Sequence, residues 1–315
     1  MKRALMILLV VGMIAVPVVN AAAATYRVGF ACMTLAYTWM KYAYDAIITE
    51  AGKYPEIELL VENAQGDAAQ QVAIMENFIA QGVDAILVNP LNVDVLVPVI
   101  EEAVAAGIAV ATFDRRAFNQ ESTVFHVGCD DVFGGRLALE YISAKLDGVG
   151  KIVHILGELG ASPTINRALG VHEQIAHYPA LEIVFEQSGM FNPADGQRVM
   201  EDAITATGGD FDAVICANDD SAGGAIQAMI DAGIDFDDVI VVGYDGVPGG
   251  LTNLINGTLD ATIQYPVEMA RLAMEQLADY VIDGTLPENT DYDILPWMLV
   301  LSNYEEKAEM NYELQ

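Results

Sequence analysis

Gln81-Gly82-Val83-Asp84-Ala85-Ile86-Leu87-Val88-Asn89-Pro90 holds, within a single short stretch, the end of a helix, a buried strand and a polar strand end. Upstream of it, Ala68–Gln81 sets Val72, Met75 and Ile79 on one face at helical spacing. Gly82 suits the left-handed position that closes such a helix. Val83–Val88 is an apolar run of strand length, and Asn89-Pro90 ends it. The same unit recurs on both sides. Before it come a strand at Tyr26–Cys32, a helix at Thr38–Gly52 and a strand at Ile57–Val61. After it come a helix at Val95–Ala106, stopped by Gly107, and a strand at Ile108–Phe113.

The pattern then resets. Helices are predicted at Asp131–Asp147, Thr164–His177, Ala194–Thr207 and Ser221–Ala232, alternating with strands at Lys151–Leu156, Leu181–Gln187, Phe211–Ala217 and Val239–Tyr244. Gly249–Asn256, Thr258–Tyr265 and Pro266–Asp283 follow as helix, strand and helix. Strands separated by helices imply βαβ units, and uninterrupted apolar strands imply sheets covered on both faces. Roughly ten strands exceed one small sheet. The expected fold class is therefore α/β, with two doubly wound parallel-sheet lobes of five or six strands each, and the first run of units ends near Val127–Cys129.

The ends of the chain concern compartment. Lys2 and Arg3 precede an apolar run, Ala4 to Val19, and small residues fill Asn20 to Ala24. This is the pattern of a cleaved secretory signal peptide over residues 1–24. The run falls short of the ~20 apolar residues a spanning helix needs. Without Lys2 and Arg3, 12 of the 14 basic residues remain against 45 acidic ones, a net charge of about −33. Such a surface repels nucleic acid and anionic membranes. Cys32, Cys129 and Cys216 are odd in number and lie in or beside apolar runs, so buried free thiols are expected. His126, His154, His172 and His177 show no metal-ligand spacing, and no metal or cofactor is expected.

In open parallel sheets, ligands bind outside the carboxyl ends of the strands. Those ends here carry Asn89, then Asp114-Arg115-Arg116, Asn218-Asp219-Asp220 and Asp245. Each Asn or Asp alone reads as a helix cap. Together with Arg115 they form a polar set suited to hydroxyls, which need a donor and an acceptor each. Arg115 is expected at an exposed strand end. Tyr37, Trp39, Phe191 and Tyr244 supply rings for apolar C–H faces, or pack in the core. The phosphate-binding Gly-x-Gly-x-x-Gly, the Walker A sequence and the Gly-x-Ser-x-Gly elbow do not occur. Asp219-Asp220 at a helix start reads as capping and dipole charge rather than as a catalytic pair.

These residues, in order, resemble the ribose-type sugar-binding proteins of ABC transporters, with the type I periplasmic fold. The resemblance runs through Gln81–Ile86, Asn89-Pro90, Phe113-Asp114-Arg115, Asp130 with Gly134-Gly135, Arg167 with Gly170, Ala217-Asn218-Asp219, Gly243–Gly246 and Ala261–Gln264. Ala222–Gln227 is similar to the xylose-binding branch. The resemblance implies a non-catalytic periplasmic monomer that captures a sugar or polyol and delivers it to a membrane permease. A receptor for chemotaxis or sensor signalling stays open beside this, and a secreted carbohydrate-active enzyme ranks below both. The implied ligand contacts are Tyr37, Trp39, Asn89, Asp114, Arg115, Arg167, Phe191, Asn218, Tyr244, Asp245 and Gln264. Ala36 and Thr38 stand where ribose binders carry an Asn and an aromatic, which points to another pentose, a hexose or an inositol. The family's calcium loop is missing. The resemblance also implies a three-strand hinge, with crossings near Gly128, Gln264 and Tyr292. The lobes would be 25–128 with 265–292, and 129–264 with 293–315.

Overall fold

The computed structural model describes residues 25–118 and 120–303. The expected leader and the tail from Tyr304 lie outside the described residues. Among those described, two six-stranded sheets carry nine helices between their strands.

The first sheet contains β1 (Tyr26–Cys32), β2 (Ile57–Asn63), β3 (Ala85–Val88), β4 (Ala109–Phe113) and β5 (Phe125–Cys129). The linking helices are α1 (Thr38–Ala51), α2 (Ala68–Gln81) and α3 (Val97–Ala105). The chain then enters the second sheet through α4 (Asp131–Lys145). It continues as β6 (Val149–Leu156), α5 (Ser162–Ile175), β7 (Ala180–Ser188), α6 (Pro193–Thr207), β8 (Ala213–Cys216), α7 (Asp219–Ala232), β9 (Ile240–Asp245), α8 (Pro248–Asn256) and β10 (Ala261–Gln264). It returns to the first sheet as α9 (Glu268–Asp283) and β11 (Asp291–Ile294), and ends in the second as β12 (Trp297–Val300). The strand orders are β11-β5-β4-β3-β1-β2 and β12-β10-β9-β8-β6-β7. All pairings are parallel except β12 on β10. The chain thus passes between the sheets three times, and β11 extends the third passage to Leu295-Pro296, beyond Tyr292.

Local chemistry explains the punctuation. Asp67 Oδ1 accepts from the amides of Ala69 at 2.8 Å and Gln70 at 3.2 Å, which starts α2. Gly82, at φ 63°, ends it. Along β1, Val28, Phe30 and Cys32 face the α1 and α9 side, whereas Ala31 joins the core under α2 and α3. Both faces are covered, so the strand is buried almost throughout. A second such core fills the space between β6, β8 and β9 and helices α6 and α7. All three cysteines are buried and unpaired. No helix among the described residues is long and apolar enough to cross a membrane.

One close approach matters for the site. Helices α4 and α5 touch at glycines: a Cβ on Gly135 would stand 2.1 Å from the Arg167 carbonyl oxygen, and one on Gly170 2.1 Å from that of Val132. The glycines let the backbones meet and so fix Arg167 beside Asp131. Gly170→Ala forces these helices apart. It is expected to lower stability by about 1–3 kcal/mol in urea unfolding, as overpacking does.

Candidate functional site

The carboxyl ends of the two sheets face each other across a small cavity. Eight of the residues singled out from sequence line it: Tyr37, Trp39, Asp114, Arg115, Arg167, Phe191, Asn218 and Asp245. Met33, Met40, Pro163 and Tyr265 complete the wall.

From the first sheet, β4 runs into Asp114, whose φ of 60° turns the chain sharply. An Asp tolerates this left-handed geometry better than most residues. The turn brings Asp114 and Arg115 together, with Arg115 Nε 4.0 Å from Asp114 Oδ2. Tyr265 donates its hydroxyl proton to Asp114 Oδ1 at 2.9 Å. Burial pushes the Asp114 carboxyl above the ordinary carboxylate range, and the Arg115 guanidinium and the Tyr265 hydroxyl oppose that shift. Arg115 is not at an exposed strand end as expected. It is buried, because its Nη1 donates to the Leu91 carbonyl at 2.9 Å and to Glu158 Oε2, in the other half of the molecule, at 3.2 Å. Arg116 turns to β11, where it pairs with Asp291 at 2.5 Å and Asp293 at 2.7 Å.

From the second sheet come Arg167 and Asp245. Arg167 Nε donates to Asp131 Oδ1 at 2.8 Å and its Nη1 to the Ala217 carbonyl at 2.5 Å. Its guanidinium carbon lies 3.6 Å from the Tyr244 ring centre and 4.6 Å from that of Tyr265. Asp245 ends β9 at φ 106° and faces Arg167 Nη1 at 3.9 Å. Burial pushes the Asp245 carboxyl well above its ordinary range, opposed by Arg167. The remaining walls are aromatic. Trp39 packs at a tilt against Tyr265 with ring centres 5.0 Å apart and donates its indole N–H to the Tyr265 carbonyl at 2.9 Å. Phe191, also at positive φ, meets Tyr37 edge-on at 6.0 Å and carries Arg115 over its face. Gly157 leaves room for the Phe191 ring, which a Cβ there would meet at 2.0 Å. Strained backbone at three cavity residues fits a functional site.

Three of the residues singled out stand one layer behind the wall. Asn89 is fully buried; its Oδ1 accepts from the Met33 amide at 3.2 Å. Tyr244 lies beneath the Arg167 guanidinium, and its hydroxyl has no hydrogen-bond partner among the described residues. Gln264 donates from Nε2 to the Asp245 carbonyl at 3.3 Å. Asn218 does cap α7, accepting from the Ser221 amide at 2.9 Å, while its Nδ2 donates to the Phe191 carbonyl at 3.1 Å.

Besides Met33, Met40 and Pro163, two residues with hydrogen-bonding groups at the site escaped the sequence reading. Tyr265 follows β10 directly, as Asp114 follows β4, but its apolar ring hid it within the strand. Glu158 lies in the loop after β6 and accepts from both Tyr37 and Arg115. The acid pair also divides its labour. Asp219 is buried and accepts from the Thr262 hydroxyl at 2.8 Å and the Val247 amide at 3.0 Å. Asp220 reaches the start of α1, where the Thr38 amide donates to it at 2.9 Å and the Thr38 hydroxyl at 2.8 Å. Tyr37 gives α1 no side-chain cap, so a carboxylate from the opposite half of the molecule serves instead.

A model of the periplasmic binding protein domain family matches residues 28–285. The chain is 32% identical over 274 residues to the galactofuranose-binding protein of Escherichia coli, covering 85% of this chain and 86% of that protein. It is 31% identical over 266 residues to the ribose import binding protein of Bacillus subtilis, covering 84% of each. Among solved structures, a solute-binding protein of an ABC transporter from Bacillus halodurans with bound myo-inositol superposes with a TM-score of 0.86 at 31% identity. It covers 93% of this chain and all of that one. The two parallel-sheet lobes match the type I periplasmic binding protein fold.

Burial makes the support layer sensitive to pH. It pushes the Asp219 carboxyl up to about 7, against the Thr262 hydrogen bond, and Asp131 to about 6, against Arg167. Both bind a proton more tightly when folded. The stability this proton contributes is present below the ordinary carboxylate range of about 4 and is lost as pH rises through the folded values. Relative to Asp219→Asn, the wild type is therefore expected to lose stability between about pH 4 and pH 7. Parallel urea titrations of the two proteins check the sign.

Proposed function

Because the chain belongs to the periplasmic binding protein domain family, we propose that it captures a neutral monosaccharide or polyol in the cavity between its two lobes and delivers it to the permease of an ABC transporter. The observation that carries this reading is the facing of Asp114 and Arg115, from one sheet, by Arg167 and Asp245, from the other, across aromatic walls. Carboxylates accept from hydroxyls and guanidinium forks donate to them, so adjacent hydroxyls find both partners. The paired charges balance, which favours an uncharged ligand over an anion or a cation. Trp39, Phe191 and Tyr265 offer faces to apolar C–H groups. Relatives and structural neighbours named for galactofuranose, ribose and myo-inositol support this ligand class.

In this reading Tyr37, Trp39, Asp114, Arg115, Arg167, Phe191, Asn218 and Asp245 touch ligand. Asn89, Tyr244 and Gln264 hold them from behind. The lobes divide at the three crossings, close to 25–128 with 265–295 and 129–264 with 296–303. The protein is a periplasmic monomer, exported by the cleaved segment 1–24, and it performs no catalysis. Bonds between the lobes, such as Thr38 to Asp220 and Arg115 to Glu158, belong to the closed state. Ligand binding then selects closure by a hinge movement.

A thermal-shift screen against pentoses, hexoses, inositols, sugar alcohols, amino acids and nucleosides tests the class. Ligand at 100 times its dissociation constant adds about 2.7 kcal/mol, a clear rise in melting temperature. A shift confined to amino acids or nucleosides overturns the sugar assignment. Arg115→Ala is expected to weaken binding of the identified ligand at least about 30-fold in calorimetry, through loss of charge-assisted hydrogen bonds. Unchanged affinity removes Arg115 from the site. Asp220→Ala touches no cavity wall, yet it is expected to weaken binding about fivefold by destabilising closure by about 1 kcal/mol. Equal affinity in that variant removes the latch.

A further inference from the structure

A second polar cluster lies away from the cavity, on the outer side of the second sheet. β6 and β7 pair so that His154 stands opposite Glu186. His172 reaches down from the last turn of α5. Glu186 Oε2 lies 2.9 Å from His154 Nδ1 and 2.9 Å from His172 Nε2. The imidazole rings meet edge to face with centres 6.1 Å apart. Sequence spacing conceals this arrangement, because the three side chains come from three different elements.

We propose that His154, His172 and Glu186 form a binding site for a divalent transition-metal cation, with Zn²⁺ as the best fit. The donor atoms all lie within 4.8 Å of one another. A tetrahedral zinc site with bonds of about 2.0–2.1 Å separates its donors by about 3.3 Å, so a small spreading of the present contacts admits the ion. Two neutral imidazoles with one carboxylate form a donor set that favours zinc and its neighbours over calcium or magnesium. His154 is buried and held by the sheet, whereas His172 and Glu186 are exposed on the approach side. The net charge of −31 draws cations to the surface generally. A bound ion ties α5, which carries Arg167 into the cavity, to the edge strand β7. This site does not depend on the sugar-binding reading.

The test is titration of the purified, chelator-treated protein with Zn²⁺ by calorimetry and with Co²⁺ by visible absorption, in excess Mg²⁺ to occupy scattered surface carboxylates. The wild type is expected to bind one equivalent of each ion, with Co²⁺ bands of nitrogen and oxygen ligation. His172→Ala and Glu186→Gln, both at exposed positions, are each expected to weaken that step at least about tenfold. Circular dichroism confirms that the variants fold. No saturable step in the wild type, or one that persists unchanged in both variants, overturns the proposal.

Discussion

Burying the Arg167 guanidinium would cost several kcal/mol if it stood alone. It does not stand alone, and the surroundings that make it tolerable organise the second half of the cavity. Asp131 at the start of α4 takes one edge of the fork, the Ala217 carbonyl at the end of β8 takes another, and Asp245 at the end of β9 stands close by. Tyr244 and Tyr265 offer ring faces to its plane. One side chain thus links two helices and two strands of one lobe to the returning segment that begins with Tyr265. The close contact of α4 and α5 at Gly135 and Gly170 is the geometric condition for it. Removing the charge would leave Asp131 and Asp245 buried without compensation, so the cavity and the local fold share one electrostatic solution.

The first half follows a different logic. Asp114 and Arg115 come from one strand end and depend on a left-handed turn rather than on a helix contact. Their charges are balanced partly from across the molecule, by Glu158 for Arg115 and by the Tyr265 hydroxyl for Asp114. The two halves are therefore unequal: one is internally compensated, and the other is completed when the lobes meet.

Much of this was legible in the chain. The alternation of apolar runs and helical periods reveals two wound sheets, because buried parallel strands must be apolar on both faces. The rule that ligands sit at carboxyl ends of strands picks out Asp114, Arg115 and Asp245. What escaped had physical reasons. β5 carries His126 and Gly128 and β11 reads Asp-Tyr-Asp-Ile, so neither shows an uninterrupted apolar run, while β12, Trp-Met-Leu-Val, is apolar but only four residues long and lies just after a proline. Depth was hidden as well: residues at a strand end can face the cavity, as Asp245 does, or underlie it, as Tyr244 does one residue earlier. Contacts between distant segments, such as Glu158 with Arg115 or His154 with Glu186 and His172, leave no trace in local spacing.

The carboxylate of Asp220 at the first turn of α1 has a further meaning. It stabilises a helix only while the two halves are together, and it lies outside the cavity wall. On the proposed function, how firmly the protein holds its cargo and which cargo it accepts rest on different side chains. Natural variation at Thr38 and Asp220 can tune retention to the scarcity of a nutrient, while the residues that discriminate between nutrients stay as they are.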